Sequence, residues 1–142
     1  MPTYDQVEVG TTLDPRPLTI TRMDLVRYAG ASGDFNVIHQ SERIAQAVGL
    51  PDVIAHGMLT MALAGRVVTD WAGDPGRVES FQVRFSAPVV VPDDDAGTTV
   101  TVTGSVTGKR DDGRVVVTLA ATTADGTKVL TAAEAVVRLA SA

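Results

Sequence analysis

The residues of this chain best suited to proton transfer lie together in one short segment. Asp34, Asn36 and His39 place a carboxylate, a carboxamide and an imidazole within six residues, in the stretch S-G-D-F-N-V-I-H. The chain has only two histidines, and histidine is the side chain that ordinarily changes charge near neutral pH. A glycine-broken turn can aim Asp34 and His39 at one water molecule, with the histidine taking or giving a proton. The segment is therefore a candidate acid–base site.

The same two side chains also have a purely structural interpretation. Asp34 can cap the turn that follows it. His39 can be a partly buried histidine whose ring nitrogens are satisfied by hydrogen bonds. The local residues alone leave both interpretations open.

The second histidine, His56, stands directly before Gly57 and a long apolar run. If a helix begins at Gly57, its first backbone N–H groups have no partner within the helix and the dipole is positive there. A substrate carbonyl oxygen that gains negative charge would be stabilised at this end, and glycine permits a close approach. The alternative is that Gly57 only allows tight packing at the helix entry, while His56 holds the connection by a hydrogen bond.

The elements that must position these groups begin with three helices. Thr21 and Ser41 are residue types that cap helix N-termini. The run G-M-L-T-M-A-L-A-G-R-V-V-T-D-W is apolar almost all round, which is typical of a helix buried inside a domain. The predicted helices run from Arg22 to a stop at Gly30 and Gly33, over residues 42–48, and over residues 57–71.

After the turn G-D-P-G the hydrophobic period changes to two, which indicates strands. The dipeptide signals D-G at residues 112–113 and 125–126 predict hairpins. The predicted strands cover residues 81–85, 98–106, 115–123 and 129–139.

The N-terminal part, through Ile20, is predicted to be turn-rich because it carries Pro15 and Pro17. Only the short piece Leu18–Ile20 alternates. The order of elements predicts an α+β fold: an antiparallel meander of four strands wrapped around one apolar helix.

The composition is that of an ordinary globular protein. The 142 residues are 44% hydrophobic and 20% charged, which favours one domain over residues 1–142. The formal charge of −5 opposes nucleic-acid binding, since phosphate contacts need clustered Lys and Arg. Because no targeting segment and no apolar run of membrane-spanning length is evident, we expect a soluble, cytoplasmic protein without membrane contact.

Metal and cofactor chemistry finds little support. The chain has no cysteine, which excludes thiolate metal sites and cysteine nucleophiles. Two histidines at this spacing match no zinc signature. The acidic triplet at residues 93–95 lacks the other ligands of a calcium loop and is interpreted as a solvated turn. We therefore expect neither a metal nor a cofactor.

The ordered pair S-G-D-F-N-V-I-H and A-H-G-M-L-T-M resembles the MaoC-like, or hydratase-2, family of hot-dog-fold proteins. The motifs stand 18 residues apart, counted from His39 to Gly57, and the order of elements is similar over almost the whole chain. Within the family, the Y-A-G-A-S-G-D start and the T-D-W-A-G-D-P-G segment are most similar to catalytic B subunits of mycobacterial-type (3R)-hydroxyacyl-ACP dehydratases of the type II fatty acid synthase. The resemblance therefore implies a hot-dog fold.

The resemblance also implies a reaction: water is added to, or expelled from, the 2,3 double bond of an acyl thioester. Asp34 and His39 would hold that water. In dehydration His39 would remove the C2 proton and Asp34 would help protonate the departing hydroxyl, although the division of transfers between them stays open. The Gly57 N–H would stabilise the thioester oxygen. Asn36 would fix the loop or the substrate, and Ser32 would support the Asp34 side.

Two positions depart from the family pattern. Val37 stands where the family usually has proline, which changes loop stiffness more than chemistry. Gly65 stands where some relatives carry a serine that supports the aspartate, so Thr60 or a water is expected to take over. His56 is expected to be a supporting residue.

The resemblance implies partners as well. The substrate would be an acyl thioester of acyl carrier protein or of coenzyme A, and the chain would pair with a second hot-dog subunit or, as the alternative, with itself. Two other functions stay open at this point: a non-catalytic acyl-binding subunit of a dehydratase complex, and an acyl thioesterase of the same fold.

Overall fold

The computed structural model describes residues 1–141 and contains one antiparallel sheet of five strands, with the spatial order β1-β3-β4-β5-β2. The strands are β1 (Thr12–Ile20), β2 (Val78–Phe85), β3 (Thr98–Lys109), β4 (Arg114–Thr123) and β5 (Lys128–Arg138). The helices are α1 (Arg22–Ser32), α2 (Glu42–Ala47) and α3 (Gly57–Ala72), with short 3-10 turns at Tyr4–Gln6, Val37–His39 and Pro75–Arg77. A sheet wrapped around α3 is the hot-dog architecture, which confirms the predicted fold class.

The prediction of a turn-rich N-terminal segment was correct only before residue 12, because the remainder forms the nine-residue strand β1. Pro15 and Pro17 are tolerated because β1 lies at one edge of the sheet and pairs only with β3. A proline has no backbone N–H to donate. In a central strand each N–H faces a neighbouring strand, whereas in an edge strand some of these positions face away from the sheet and need no donor. The register also shifts between Leu13 and Arg16, on either side of Pro15.

The prediction of a four-strand meander was wrong in its strand order. Strands β3, β4 and β5 follow one another through hairpins, but β2 pairs with β5 instead of β3. A hairpin loop normally has two to five residues, whereas residues 86–97 separate β2 from β3 and carry two prolines. That segment is long enough to connect strands that are not neighbours in the sheet.

Helix α3 buries one side against the sheet and leaves the other open. The side chains in the core are those of Thr60, Ala64, Val67, Val68 and Ala72. Met58, in the first turn, is 55% exposed. The sequence predicted a helix enclosed on all sides, and in the single chain that is wrong at this turn. None of the described helices has the length and hydrophobicity needed to cross a membrane.

Helix α1 carries the chain into the Asp34 segment and has defined ends. Thr21 caps its start, and the helix ends at Gly33, whose φ of 77° is left-handed. Gly30 does not end the helix as predicted, because it keeps helical geometry and the chain turns three residues later. Helix α2 is capped by Ser41, as predicted, and ends one residue earlier than expected.

The start of α1 should make stability depend on pH. The backbone N–H and the hydroxyl of Thr21 donate to Asp24 at 2.9 and 2.8 Å, which holds the pKa of that carboxyl below its usual value of 3.8. A folded-state pKa below the unfolded one gives stability that is present above the unfolded pKa and is lost as pH falls through the folded pKa. Asp24→Asn should therefore lower the free energy of unfolding at neutral pH by roughly 0.5 kcal/mol, because the Asp24 side chain is 36% exposed and solvent screens its charge.

Urea unfolding of wild type and of Asp24→Asn, from neutral pH down to about pH 3, tests this prediction. The difference between the two proteins should shrink as the wild-type carboxyl is protonated. Asp95→Asn, in the exposed turn before β3, is the matched control and should leave stability unchanged. A difference that stays constant over the whole pH range would contradict the assignment.

Candidate active site

The segment after α1 is held by a series of hydrogen bonds between residues that are close in sequence. The Ser32 hydroxyl donates to the Tyr28 carbonyl at 2.7 Å and accepts from the Asp34 N–H at 3.1 Å. Asp34 Oδ1 accepts from the Asn36 N–H at 3.2 Å, and Asn36 Oδ1 accepts from the Ile38 N–H at 3.3 Å. Ser32 and Asn36 thus position the backbone around Asp34, and one carboxylate oxygen of Asp34 caps the following turn.

The other carboxylate oxygen of Asp34 faces His39. Its Oδ2 lies 4.0 Å from His39 Nε2, and the two side chains are 49% and 10% exposed, respectively. The capping role and the chemical role of Asp34 are therefore compatible, because each uses a different oxygen. The sequence had left these as alternatives.

The backbone determines which nitrogen of His39 is available. His39 Nδ1 lies 2.7 Å from the Ile54 carbonyl oxygen. A carbonyl only accepts hydrogen bonds, so Nδ1 carries the hydrogen and the lone pair of the neutral ring is on Nε2. Nothing in the sequence points to Ile54, because a contact made by a backbone carbonyl leaves no signal in the residue type.

Asp34 Oδ2 and His39 Nε2 are two acceptors that cannot bond each other. Their separation of 4.0 Å is too long for a direct hydrogen bond, and a carboxylate and a bare imidazole nitrogen both lack a proton to share. A water or a substrate hydroxyl can satisfy both, because such a group donates to either atom. The geometry suits a pair that holds and deprotonates one bridging molecule.

His56 packs directly behind this pair. It is 1% exposed, and its Nε2 lies 3.0 Å from the Asp34 carbonyl oxygen. Its ring stacks on the His39 ring with centroids 3.9 Å apart and an angle of 26° between the planes. The predicted supporting residue therefore contacts both members of the pair.

The connection into α3 is held by the long segment between β2 and β3. The Ala55 N–H donates to the Val89 carbonyl at 2.8 Å, and the Val91 N–H donates to the Val53 carbonyl at 2.9 Å. These bonds flank Ile54, which accepts from His39. The segment that disrupts the meander thereby anchors the carbonyl that orients the imidazole.

Gly57 begins α3, as predicted, and lines a pocket of about 330 Å³ together with His39. Phe85, Val89 and Leu130 contribute apolar walls to the pocket. A Cβ at Gly57 would lie 3.2 Å from Cε1 of the Phe85 ring, so glycine does allow tight packing at the helix entry. The same position leaves the first N–H groups of α3 beside the pocket, where a carbonyl oxygen can reach them.

Thr60 lines the pocket and is buried, but its predicted contact with Asp34 is not observed. Within residues 1–141, no hydrogen bond joins the Thr60 hydroxyl to that carboxylate. Gly65, where some relatives carry serine, lies against the ring of Phe81, whose Cε1 would be 3.2 Å from a Cβ at that position. Any larger residue at Gly65 would require that ring to move.

Asp34, His39 and His56 are also the residues that come nearest to a metal site. Their potential ligand atoms lie within 4.8 Å of one another. A metal needs lone pairs that converge on one point. His39 Nδ1 and His56 Nε2 are engaged by carbonyls. One nitrogen of each ring remains, and because the rings stack at 26°, the lone pairs of these two nitrogens lie in separate, nearly parallel planes. The arrangement suits a bridging water better than an ion.

The fold and the site define a hot-dog protein with a paired carboxylate and imidazole at the start of its central helix. Residues 5–125 match the family model described as MaoC like domain, and the chain belongs to that family.

Individual relatives agree with this assignment. The (R)-specific enoyl-CoA hydratase of Rhodospirillum rubrum is 38% identical over 93 residues, which are 65% of this chain and 64% of the hydratase. A solved structure titled MaoC-like dehydratase has a TM-score of 0.94 at 40% identity, covering 98% of this chain and 42% of that chain. A chain of the ChsH1-ChsH2 complex from Mycobacterium tuberculosis has a TM-score of 0.80 at 29% identity, covering 93% and 98%. This chain spans 4 to 64% of the length of the first curated relatives that it matches.

The hydrogen bonds of the two rings predict opposite tautomers. His39 should carry its hydrogen on Nδ1, because that atom faces the Ile54 carbonyl, and His56 should carry it on Nε2, because that atom faces the Asp34 carbonyl. Long-range ¹H–¹⁵N correlation spectra above the titration range of the rings report the protonated nitrogen directly. With only two histidines in the chain, the spectrum is assigned by one substitution. A hydrogen on His39 Nε2 would contradict the geometry.

Proposed function

We propose that this chain is a (3R)-hydroxyacyl thioester dehydratase, which in reverse is an (R)-specific enoyl thioester hydratase. The observation that carries the proposal is the 4.0 Å separation of Asp34 Oδ2 and His39 Nε2, two acceptors beside the N-terminus of α3. The printed names of the relatives, an (R)-specific enoyl-CoA hydratase and a MaoC-like dehydratase, support the same reaction.

In the dehydration direction, His39 transfers the proton and Asp34 holds the hydroxyl. The C3 hydroxyl of the substrate donates a hydrogen bond to Asp34 Oδ2. His39 Nε2 takes the proton from C2, and the electron pair of that C–H bond moves toward the thioester carbonyl. The C3–O bond then breaks, and the departing hydroxyl takes the proton from His39 Nε2 to leave as water. His39 is then neutral and Asp34 is still a carboxylate, so the pair is ready for the next turnover.

The oxygen of the thioester carbonyl gains negative charge while C2 has lost its proton. The Gly57 N–H opens the 16-residue helix α3 and is one of the first-turn groups that lack a partner within the helix. A fixed N–H at the positive end of a helix stabilises such an oxygen without reorganising during the reaction. Gly57 is therefore the proposed oxyanion donor, and the apolar pocket walls receive the acyl chain.

The substrate thioester is carried by acyl carrier protein or coenzyme A, in the cytoplasmic fatty acid metabolism that the motif resemblance implies. Both carriers present the acyl group through the same thioester. The pocket residues described above would contact the acyl group and not the carrier. The proposal therefore covers acyl thioesters of either carrier.

A second hot-dog subunit is proposed to complete the site. Phe85 and Met58, at the pocket and at the start of α3, are 50% and 55% exposed in the single chain, and Val37 beside the pair is exposed as well. Strand β2 pairs only with β5, so its outer edge is free to extend the sheet. The similarity to a chain of the ChsH1-ChsH2 complex supports a heterodimer, with a homodimer as the alternative.

The catalytic proposal predicts large losses from two conservative changes. Asp34→Asn removes the carboxylate that holds the hydroxyl, and His39→Gln removes the imidazole that transfers the proton. Each change should lower kcat by about 10²- to 10⁴-fold. The measurement is the loss of enoyl absorbance on hydration of trans-2-enoyl thioesters of several chain lengths, with proteins encoded beside this chain present. Asp95→Asn is the matched control and should retain wild-type turnover, because it lies in an exposed turn outside the pocket lining.

Three outcomes would contradict the proposal. Near wild-type turnover in either variant, with folding preserved, would exclude the pair as the catalytic groups. Release of free thiol without loss of enoyl absorbance would indicate a thioesterase. Activity that persists in a complex altered only at Asp34 and His39 would assign this chain an acyl-binding role.

The subunit proposal predicts that a charge on the exposed apolar surface formed by Met58 and Phe85 disrupts assembly. Met58→Glu should lower the mass of the complex measured by light scattering and should reduce turnover, because a carboxylate would have to be buried in the interface. Val9→Glu, at another exposed apolar position, is the control and should change neither. A homodimer formed by this chain alone would replace the heterodimer, and a fully active monomer would contradict both.

A further inference from the structure

We propose that His56 is a positioning residue for this reaction, which holds Asp34 and His39 at their working separation through one hydrogen bond and one ring contact. The inference rests on the proposed function for its kinetic consequences. The contacts that it invokes can be tested without any activity.

His56 is not placed to transfer protons itself. It is 1% exposed, and its Nε2–H donates to the Asp34 carbonyl at 3.0 Å. The other ring nitrogen, Nδ1, is buried and has no hydrogen-bond partner within the described chain. A proton placed on Nδ1 would be buried without an acceptor, which is costly. Of the two ring nitrogens, Nε2 is therefore a fixed hydrogen-bond donor and Nδ1 has no hydrogen-bond partner in the described chain.

The contacts of His56 tie together the three parts of the site. Its Nε2–H holds the backbone of Asp34, and its face lies 3.9 Å from the ring of His39. Its own carbonyl accepts from the N–H groups of Leu59 and Thr60, at 3.0 and 3.2 Å, in the first turn of α3. The side chain of His56 thus contacts the Asp34 backbone and the His39 ring, while its backbone carbonyl belongs to the first turn of α3.

A second aromatic side chain, that of Tyr28, also contacts the His56 ring. Tyr28 of α1 packs against it with centroids 4.8 Å apart and an angle of 56° between the planes. The Tyr28 carbonyl also accepts from Ser32, which holds the Asp34 N–H. The Asp34 backbone is therefore held at its N–H through Ser32 and at its carbonyl through His56, and both supports meet Tyr28.

This position gives a role to a buried histidine that has an unpartnered nitrogen. Asp34 follows a glycine at the end of α1 and its side chain is half exposed, so the segment has little packing of its own. A displacement of about 1 Å between catalytic groups can cost on the order of 100-fold in rate. The hydrogen bond from His56 supplies a restraint that the exposed loop lacks.

The test compares two amide side chains of different reach. In His56→Gln the amide nitrogen can occupy the place of Nε2 and donate to the Asp34 carbonyl, whereas in His56→Asn it corresponds to Nδ1 and does not reach. Asparagine is also a favoured residue at the N-cap of a helix, which is the position that His56 occupies. The start of α3 should therefore form in His56→Asn. It should also form in His56→Gln, because the His56 side chain makes no capping hydrogen bond that this change could remove. Melting temperatures of both variants check this.

Enoyl thioester hydration should separate the two variants. His56→Asn should lower kcat by about 100-fold with KM within about twofold of wild type, because the restraint acts on the catalytic groups. His56→Gln should keep kcat within about fivefold of wild type. Equal losses in both variants, near wild-type turnover in His56→Asn, or a loss expressed in KM alone would overturn the proposal. His56→Phe, which keeps a ring but has no donor, takes the place of His56→Asn if that variant melts below the assay temperature.

A second readout does not depend on activity. The carbonyl ¹³C shift of Asp34 reports the hydrogen bond that it accepts, and it should be alike in wild type and His56→Gln but changed in His56→Asn. An unchanged shift in His56→Asn would exclude the bond. If wild type itself failed to hydrate enoyl thioesters, the proposed function would be wrong, whereas this shift would still decide whether His56 holds Asp34.

Discussion

The hydrogen bond from His39 Nδ1 to the Ile54 carbonyl, 2.7 Å long, is the interaction on which the rest of the site depends. It assigns the hydrogen of the neutral ring to Nδ1 and leaves the Nε2 lone pair facing Asp34. Without it the ring could take the other tautomer, and Nε2–H would then donate to the nearby carboxylate instead of accepting from water. Because of this backbone contact, Asp34 Oδ2 and His39 Nε2 are both hydrogen-bond acceptors, and a water or a hydroxyl between them is needed to donate to both.

The Ile54 carbonyl is positioned by the connection between β2 and β3. Ile54 is held in place because residues 53 and 55 bond to residues 91 and 89, which belong to the long connection between β2 and β3. That connection is possible because β2 pairs with β5 and not with its successor in the chain. The strand order therefore determines where the Ile54 carbonyl lies. That carbonyl in turn determines the tautomer of His39.

Much of this arrangement is visible in the sequence, and the remainder has an identifiable physical reason for being hidden. The caps at Thr21 and Ser41 and the start of α3 at Gly57 follow from residue types and spacing. The pairing of Asp34 with His39 was one of two interpretations of the local residues, and the motif resemblance favoured it. The strand through Pro15 and Pro17 was missed because edge position, which makes proline tolerable, is a property of the whole sheet. The Ile54 carbonyl and the stacking of His56 on His39 could not be predicted, because both depend on backbone and ring positions that only tertiary packing sets.

The central claim is that Asp34 and His39 hold one donor molecule between them, and neutron diffraction from a crystal of the protein grown in heavy water tests it most directly. We expect a water within hydrogen-bond distance of Asp34 Oδ2 and His39 Nε2, with its deuterons directed at both atoms and a further deuteron on His39 Nδ1. A deuteron on His39 Nε2, donated directly to the carboxylate with no molecule between them, would contradict the account.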